Sequence, residues 1–186
     1  MKPCILTLFI VLVLSSCNHE KAKQAVFQKT TFDGQVMENL PLYDSLRDVM
    51  VNHIDTIFKF RDSGHLVYHG DSKRTTQENA DFYIFNFTEP GQSQDGIDNM
   101  PAFLYPSVER ICKKLGKDNI RGFLVRRDSS LEISAKSIYK ENIDATVNHQ
   151  LFWKTKIGLS SDEMFIKDTT IGSKWTYLVS VDDHQD

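Results

Sequence analysis

The sequence predicts an α+β domain in which helices pack on one face of a curved antiparallel sheet. Three observations predict this class. Two segments in the first two thirds of the chain have apolar residues at helical spacing, and the last third alternates apolar and polar residues between turn signals. The 186 residues, of which 40% are hydrophobic and 25% charged, suit one globular domain.

The first helix is predicted from Pro41 to Phe60. Its apolar face contains Leu42, Leu46, Val49, Met50, His53, Ile54, Ile57 and Phe58. His53 therefore lies on the apolar side, where it is either a hydrogen-bonded core histidine or a pocket histidine with a tuned pKa. We take His53 as a weak candidate for a catalytic residue.

The next segments are predicted as a strand, a second strand and a loop. "GHLVYHG", Gly64 to Gly70, has β-forming residues between glycines, so His65 and His69 would lie about 13 Å apart and could not share one metal ion. "DFYIFNFTE", Asp81 to Glu89, is apolar on both faces and is predicted as a central strand covered by a helix on one side.

The loop from Pro90 to Pro101 contains three possible calcium ligands, Asp95, Asp98 and Asn99. Their spacing does not match an EF-hand loop, and no bidentate glutamate follows at the needed position. A solvated turn is the better interpretation, and we expect no bound metal and no cofactor.

A second helix is predicted in "PSVERICKKLG". Pro106 suits its first turn, Gly116 suits its end, and Val108, Ile111, Cys112 and Leu115 share one face. Cys112 is therefore expected to be a buried, inert thiol.

The remaining chain is predicted to be mostly antiparallel strands. Gly122–Arg127 and Leu131–Ile138 form a hairpin in which Leu131, Ile133 and Ala135 face inward and Glu132, Ser134 and Lys136 face solvent. Residues 143–153 fit either a helix or a strand. Met164–Asp168 and Lys174–Asp182 form a second hairpin, with one side lined by Trp175, Tyr177, Val179 and Val181 while Thr176 and Ser180 face outward or towards a layer edge. This order of elements is similar to NTF2-like and cystatin-like folds, whose sheets often wrap a pocket.

The N-terminus has the features of a secretory signal. Lys2 precedes an apolar run from Ile5 to Leu14, whose ten residues would span about 15 Å of helix, half the thickness of a bilayer core. The sequence Leu14-Ser15-Ser16-Cys17 resembles the lipobox of bacterial lipoproteins. The resemblance implies that a diacylglyceryl group is attached to Cys17, that residues 1–16 are removed, and that the protein is anchored to a membrane by lipid. Residues 17–31 are then a lipidated cysteine with a flexible tether, and residues 32–186 form the single domain.

The net charge and the residue after Cys17 indicate what the protein binds and where it is located. The net charge of −3 becomes one unit more negative when Lys2 leaves with the signal, which argues against binding to nucleic acid. Asn18 is not the aspartate that marks inner-membrane retention in some bacteria, and no acidic run follows. We therefore expect an outer-membrane lipoprotein of the bacterial envelope that faces the periplasm.

No motif for catalysis is found: the sequence lacks a nucleophile elbow, a P-loop, a zinc-protease motif and a dinucleotide fingerprint. The favoured function is a non-catalytic binding or interaction module with a protein partner in the envelope, such as an assembly accessory, an inhibitor or an immunity protein. The alternative is a small envelope hydrolase with a pocket in a cone-like sheet, using His53 or carboxylates such as Asp81 and Glu89.

Overall fold

A computed structural model describes residues 21–62, 82–86, 101–116, 118–154, 163–172 and 174–183. Its helices are α1 (residues 21–29), α2 (Gly34–Glu38), α3 (Leu40–Asn52), α4 (Ile54–Asp62) and α5 (Tyr105–Leu115). The strands are β1 (Phe82–Asn86), β2 (Gly122–Arg126), β3 (Leu131–Lys140), β4 (Ala145–Trp153), β5 (Glu163–Ile171) and β6 (Trp175–Asp183). A short 3-10 helix, Glu141–Ile143, joins β3 to β4.

The six strands form one antiparallel sheet in the order β1-β2-β3-β4-β6-β5. Helix α3 packs against α5, and its fully buried residues Tyr43, Leu46 and Met50 join the same core as the inward residues of the sheet. The predicted class is confirmed: the chain is an α+β domain with helices packed on one face of a curved antiparallel sheet.

The last strand confirms most of its predicted register. Trp175, Tyr177, Val179 and Val181 are buried at 1% exposure or less, and all four lie on the inner face of the sheet. Thr176 is partly exposed, as expected for the outer face. Ser180 is fully buried, however, and so is its outer-face neighbour Leu178. Ser180 was predicted to face outward or towards a layer edge; it lies on the outer face, but it is not exposed there.

The predicted first helix is two helices. The chain leaves helical geometry at His53, where φ is −118° and ψ is 19°, and α4 begins at Ile54. Ile57 and Phe58 of α4 are buried, while His53 at the break is only half-buried.

Among the strands that the structure describes, β1 lies at an edge of the sheet, whereas the sequence analysis predicted a central strand. Strands β3, β4 and β6 are each nine or ten residues long and pair along nearly their whole length. The five-residue β1 pairs with β2 at the margin of this larger sheet. Apolar composition alone had suggested a central position.

Residues 145–153 are a strand, which resolves the choice between helix and strand for residues 143–153. At the other end of the chain, residues 21–29 are helical, and Ala22, Val26 and Phe27 pack against the core. The folded body therefore includes residues 21–29, which the sequence analysis had assigned to a flexible tether.

Several predictions concern residues outside those that the structure describes. They include the signal, the lipobox and Cys17, the strand Gly64–Gly70 with His65 and His69, the calcium candidates Asp95, Asp98 and Asn99, and the carboxylates Asp81 and Glu89.

Candidate functional site

A cleft of about 820 Å³ lies between the N-terminal helices and the inner face of β3 and β4. One wall is formed by the end of α1, the segment that follows it and the start of α2. The floor and the other wall come from the sheet. The lining residues are Val26, Lys29, Thr30, Thr31, Phe32, Asp33, Gly34, Gln35, Glu38, Lys136, Ile138, Lys140, Val147 and His149.

A β-bulge in β3 determines which side chains reach the cleft. Before the bulge Ile133 pairs with Leu151, and after it Lys136 pairs with His149, so Ala135 is the additional residue. Directly paired residues of antiparallel strands lie on the same face of the sheet. The bulge therefore moves Lys136 to the inner face, beside His149, and corrects the prediction that Lys136 faces solvent.

Asp33 connects the helical wall to the floor. Its Oδ1 accepts hydrogen bonds from the backbone N–H of Gln35 at 2.8 Å and of Val36 at 3.4 Å, which caps helix α2. Its Oδ2 accepts a hydrogen bond from Lys136 Nζ at 2.9 Å. Burial disfavours the ionised carboxylate, but these hydrogen bonds and the charge of Lys136 outweigh it and lower the pKa of Asp33.

His149 lies on the floor of the cleft and is 3% exposed. Its Nδ1 is 2.7 Å from the hydroxyl of Tyr177, which also accepts a hydrogen bond from the backbone N–H of Asp33 at 2.8 Å. Burial lowers the pKa of His149, and burial raises the pKa of Tyr177 to about 12. Both side chains are therefore neutral near pH 7.

Lys167 of β5 ties α1 to the sheet. It lies on the inner face in the same row as Val179 of β6 and His149 of β4. Its Nζ donates a hydrogen bond to the carbonyl oxygen of Phe27 at 3.3 Å and lies 4.9 Å from the centre of the Phe27 ring. The end of α1 is thereby held against the sheet, and burial lowers the pKa of Lys167.

Several polar groups in and beneath the cleft already have hydrogen-bond or ion-pair partners within the protein. Lys136 is paired with Asp33, the Tyr177 hydroxyl has two partners, and the hydroxyl of Thr30 donates to the carbonyl oxygen of Val26 at 2.9 Å. Because these contacts hold the side chains in fixed positions, little reorganisation is needed when a ligand binds, and the ligand can be oriented by them.

The sequence-derived candidate His53 is not among the described residues that line this cleft. It ends α3, and its ring meets Phe103 edge to face with 5.3 Å between ring centres. Cys112 lies on the buried face of α5, and burial raises its pKa to about 12. The thiol is buried as predicted, and at neutral pH it remains protonated.

Sequence reasoning missed the four residues that organise the cleft, namely Asp33, Lys136, His149 and Tyr177. Asp33 is followed by a short helix, and an aspartate at that position is a recognisable capping signal. The other three depend on the pairing of β3, β4 and β6, which joins residues far apart in the chain.

Within the described ranges, no group of three or more histidine, cysteine, aspartate or glutamate side chains is placed to hold a metal ion. No helix in those ranges is both long and apolar enough to cross a membrane. No protein-family model, curated protein or solved structure matches this chain.

Proposed function

We propose that this protein is a lipid-anchored lipoprotein of the bacterial cell envelope whose α+β body binds a ligand or partner in the cleft and performs no catalysis. The anchor is lipid on Cys17, and its support is the apolar run followed by Leu14-Ser15-Ser16-Cys17. The proposed location is the periplasmic face of the outer membrane. Incorporation of labelled palmitate at Cys17 tests the anchor.

One observation carries the binding role: the cleft is concave, of ligand size, and lined by apolar and polar groups in an organised arrangement. Its volume of about 820 Å³ falls in the range of small-molecule sites, roughly 300–1,000 Å³. Apolar side chains from both walls, Val26, Phe32, Ile138 and Val147, surround the fixed polar group of Asp33, Lys136 and His149. Such a lining provides both contact area and orientation for a ligand.

Filling the cleft tests this proposal directly. Gly34 lines the cleft, and a Cβ at this position meets no heavy atom within 4 Å. Gly34→Trp therefore adds a large side chain to the cleft without a clash at the backbone. Lys59→Trp, at an exposed position of α4, adds the same side chain elsewhere.

Both variants should melt within a few degrees of the wild type and should fractionate with membranes. Capture from solubilised membranes should recover a specific ligand or partner with the wild type and Lys59→Trp, but not with Gly34→Trp. Equal recovery with all three proteins would show that binding does not involve the cleft.

The second candidate is a small envelope hydrolase in which His149 donates a hydrogen bond to the developing oxyanion of the substrate. A neutral histidine on the floor of a cleft, with Nδ1 already hydrogen-bonded to Tyr177 and its other ring nitrogen left for the substrate, favours it. Turnover of ester or amide substrates by the purified protein, lost in His149→Asn, would support the hydrolase and contradict the non-catalytic role.

A further inference from the structure

We propose that the cleft binds a small amphipathic carboxylate, with its carboxylate held by His149 Nε2–H and Lys136 and its apolar part against Ile138 and Val147. This inference rests on the proposed function, because it names the ligand class of the same cleft. Hydrogen bonding, charge and the order of side chains along the floor each support it.

The hydrogen bonds around Tyr177 determine which nitrogen of His149 carries its proton. The Tyr177 oxygen accepts a hydrogen bond from Asp33 N–H, and the phenol is fully buried, so an undonated O–H would be costly. Nδ1 of His149, at 2.7 Å, is the acceptor within reach among the described residues. Tyr177 therefore donates to Nδ1, and a neutral His149 carries its proton on Nε2.

His149 is consequently a hydrogen-bond donor at the floor of the cleft. Nδ1 is engaged by Tyr177, and Nε2–H is the polar group that the ring has left for a ligand. A ligand atom that meets it must be an acceptor, such as a carboxylate oxygen. A protonated amine would meet a donor at this point.

Charge selects an anion over an uncharged acceptor. Lys136 pairs directly across from His149, and Lys167 lies on the same row two strands away, about 10 Å at the usual strand spacing. Asp33 supplies one negative charge against these two positive charges; of the three, Asp33 has the largest effect on the pKa of His149, and the two lysines oppose it. The ammonium group of Lys136 donates one hydrogen bond to Asp33, and its two further N–H donors can bind a second carboxylate.

The next row of the floor is apolar. Ile138 pairs with Val147, about 6–7 Å along the strands from the row of Lys136 and His149. Phe32 also lines the cleft, with its ring packed against Tyr177. A ligand whose carboxylate meets His149 can therefore place its adjacent carbon atoms against Ile138 and Val147, which is the arrangement that an amphipathic carboxylate needs.

Three probes of the same chain length test the proposal: octanoate, octanol and octylammonium. Each is titrated into the purified residue 17–186 protein carrying its lipid in detergent, with binding followed by calorimetry and by the ¹⁵N signals of His149. Octanoate should bind most tightly, octanol about ten-fold more weakly, and octylammonium most weakly. The His149 Nε2 resonance should show the Nε2–H form before ligand is added and should shift with octanoate.

Two variants locate the carboxylate. His149→Asn keeps a polar group near Tyr177 but removes the donor in the cleft, and Lys136→Gln keeps a donor for Asp33 but removes the charge. Each should weaken octanoate binding about ten-fold or more, and Lys136→Gln should leave octanol binding nearly unchanged. Lys59→Gln, on the exposed side of α4, removes the same charge without effect.

The outcomes separate this inference from the proposed function. Equal binding of the three probes, no binding of octanoate, or an Nδ1–H tautomer of His149 would overturn the carboxylate proposal. Loss of membrane capture in Gly34→Trp would still support a binding cleft in each of those cases. If Gly34→Trp captures as much as wild type, the failure lies in the proposed function instead.

Discussion

Removing the buried hydroxyl of Tyr177 should show how much the hydrogen bonds beneath the cleft contribute to the free energy of unfolding. Tyr177→Phe keeps the ring, which is fully buried and packs against Phe32 with 5.0 Å between ring centres. It leaves the Asp33 N–H and Nδ1 of His149 without their partner. At about 1–1.5 kcal/mol for each lost bond, the free energy of unfolding should fall by about 2–3 kcal/mol. For a domain of this size that lowers the melting temperature by about 4–12 °C.

Two other tyrosines provide matched controls for this substitution. Tyr43 is fully buried and its hydroxyl makes one hydrogen bond, to the carbonyl oxygen of Asn119 at 2.5 Å, so Tyr43→Phe should cost about 1 kcal/mol. Tyr139 is 56% exposed and donates to Asp144, so Tyr139→Phe should leave the free energy of unfolding nearly unchanged.

Urea unfolding followed by tryptophan fluorescence measures all three variants under one condition. The expected order of destabilisation is Tyr177→Phe, then Tyr43→Phe, then Tyr139→Phe. If Tyr177→Phe is no more destabilising than Tyr139→Phe, the hydroxyl does not join Asp33 to His149, and the tautomer argument for the cleft fails with it.

Three further predictions follow from the same contacts. His149, which is faced by Tyr177, Asp33, Lys136 and Lys167, has a lowered pKa in the folded protein. The unfolded chain therefore binds a proton at this histidine more readily, and the free energy of unfolding should fall as the pH drops below about 6.5. Urea titrations at several pH values should show a smaller pH dependence of that free energy in His149→Asn. Trp175→Ala should lower the free energy of unfolding by about 3–5 kcal/mol, because the ring is 1% exposed and Nε1 donates to Asp44 at 2.9 Å. Thr176→Ala, at a partly exposed position, should lower it by about 1 kcal/mol or less. Equal melting temperatures for the two variants would contradict the register of β6. Cys112 should react with a thiol reagent only after unfolding, so rapid reaction of the native protein at pH 8 would contradict its burial and its raised pKa.

The fold class was predictable because short-range patterns carry it. The turn at Asp128–Ser130 is visible as a cluster of turn-forming residues, and the structure closes it with a hydrogen bond from Ser130 N–H to Asp128 Oδ1 at 2.9 Å. The alternation of Trp175, Tyr177 and Val179 gives the inward face of β6. Helix α5 has its predicted buried face and is ended by the following residue, Gly116, whose φ is +74°.

The site was not predictable to the same degree, because its residues are brought together by long-range pairing. A single additional residue, Ala135, reverses the inward and outward sides of the second half of β3, and alternation within one strand does not reveal a bulge. His149 lies in the segment that fitted either helix or strand, so its face was not determined. The break at His53 was not visible in the sequence either, since the helical periodicity continues through it.

Cys17 provides the most direct test of an envelope lipoprotein. A diacylglyceryl thioether supplies two acyl chains, whereas one chain binds membranes only with an association constant on the order of 10⁴ M⁻¹. Cells that express the wild type, Cys17→Ser or Cys112→Ser are grown with radiolabelled palmitate, and their membranes are washed in high salt. The wild type and Cys112→Ser should carry label and remain in the membrane fraction, while Cys17→Ser should carry none. Label on Cys17→Ser, or release of the wild type by salt, would contradict anchoring through this cysteine.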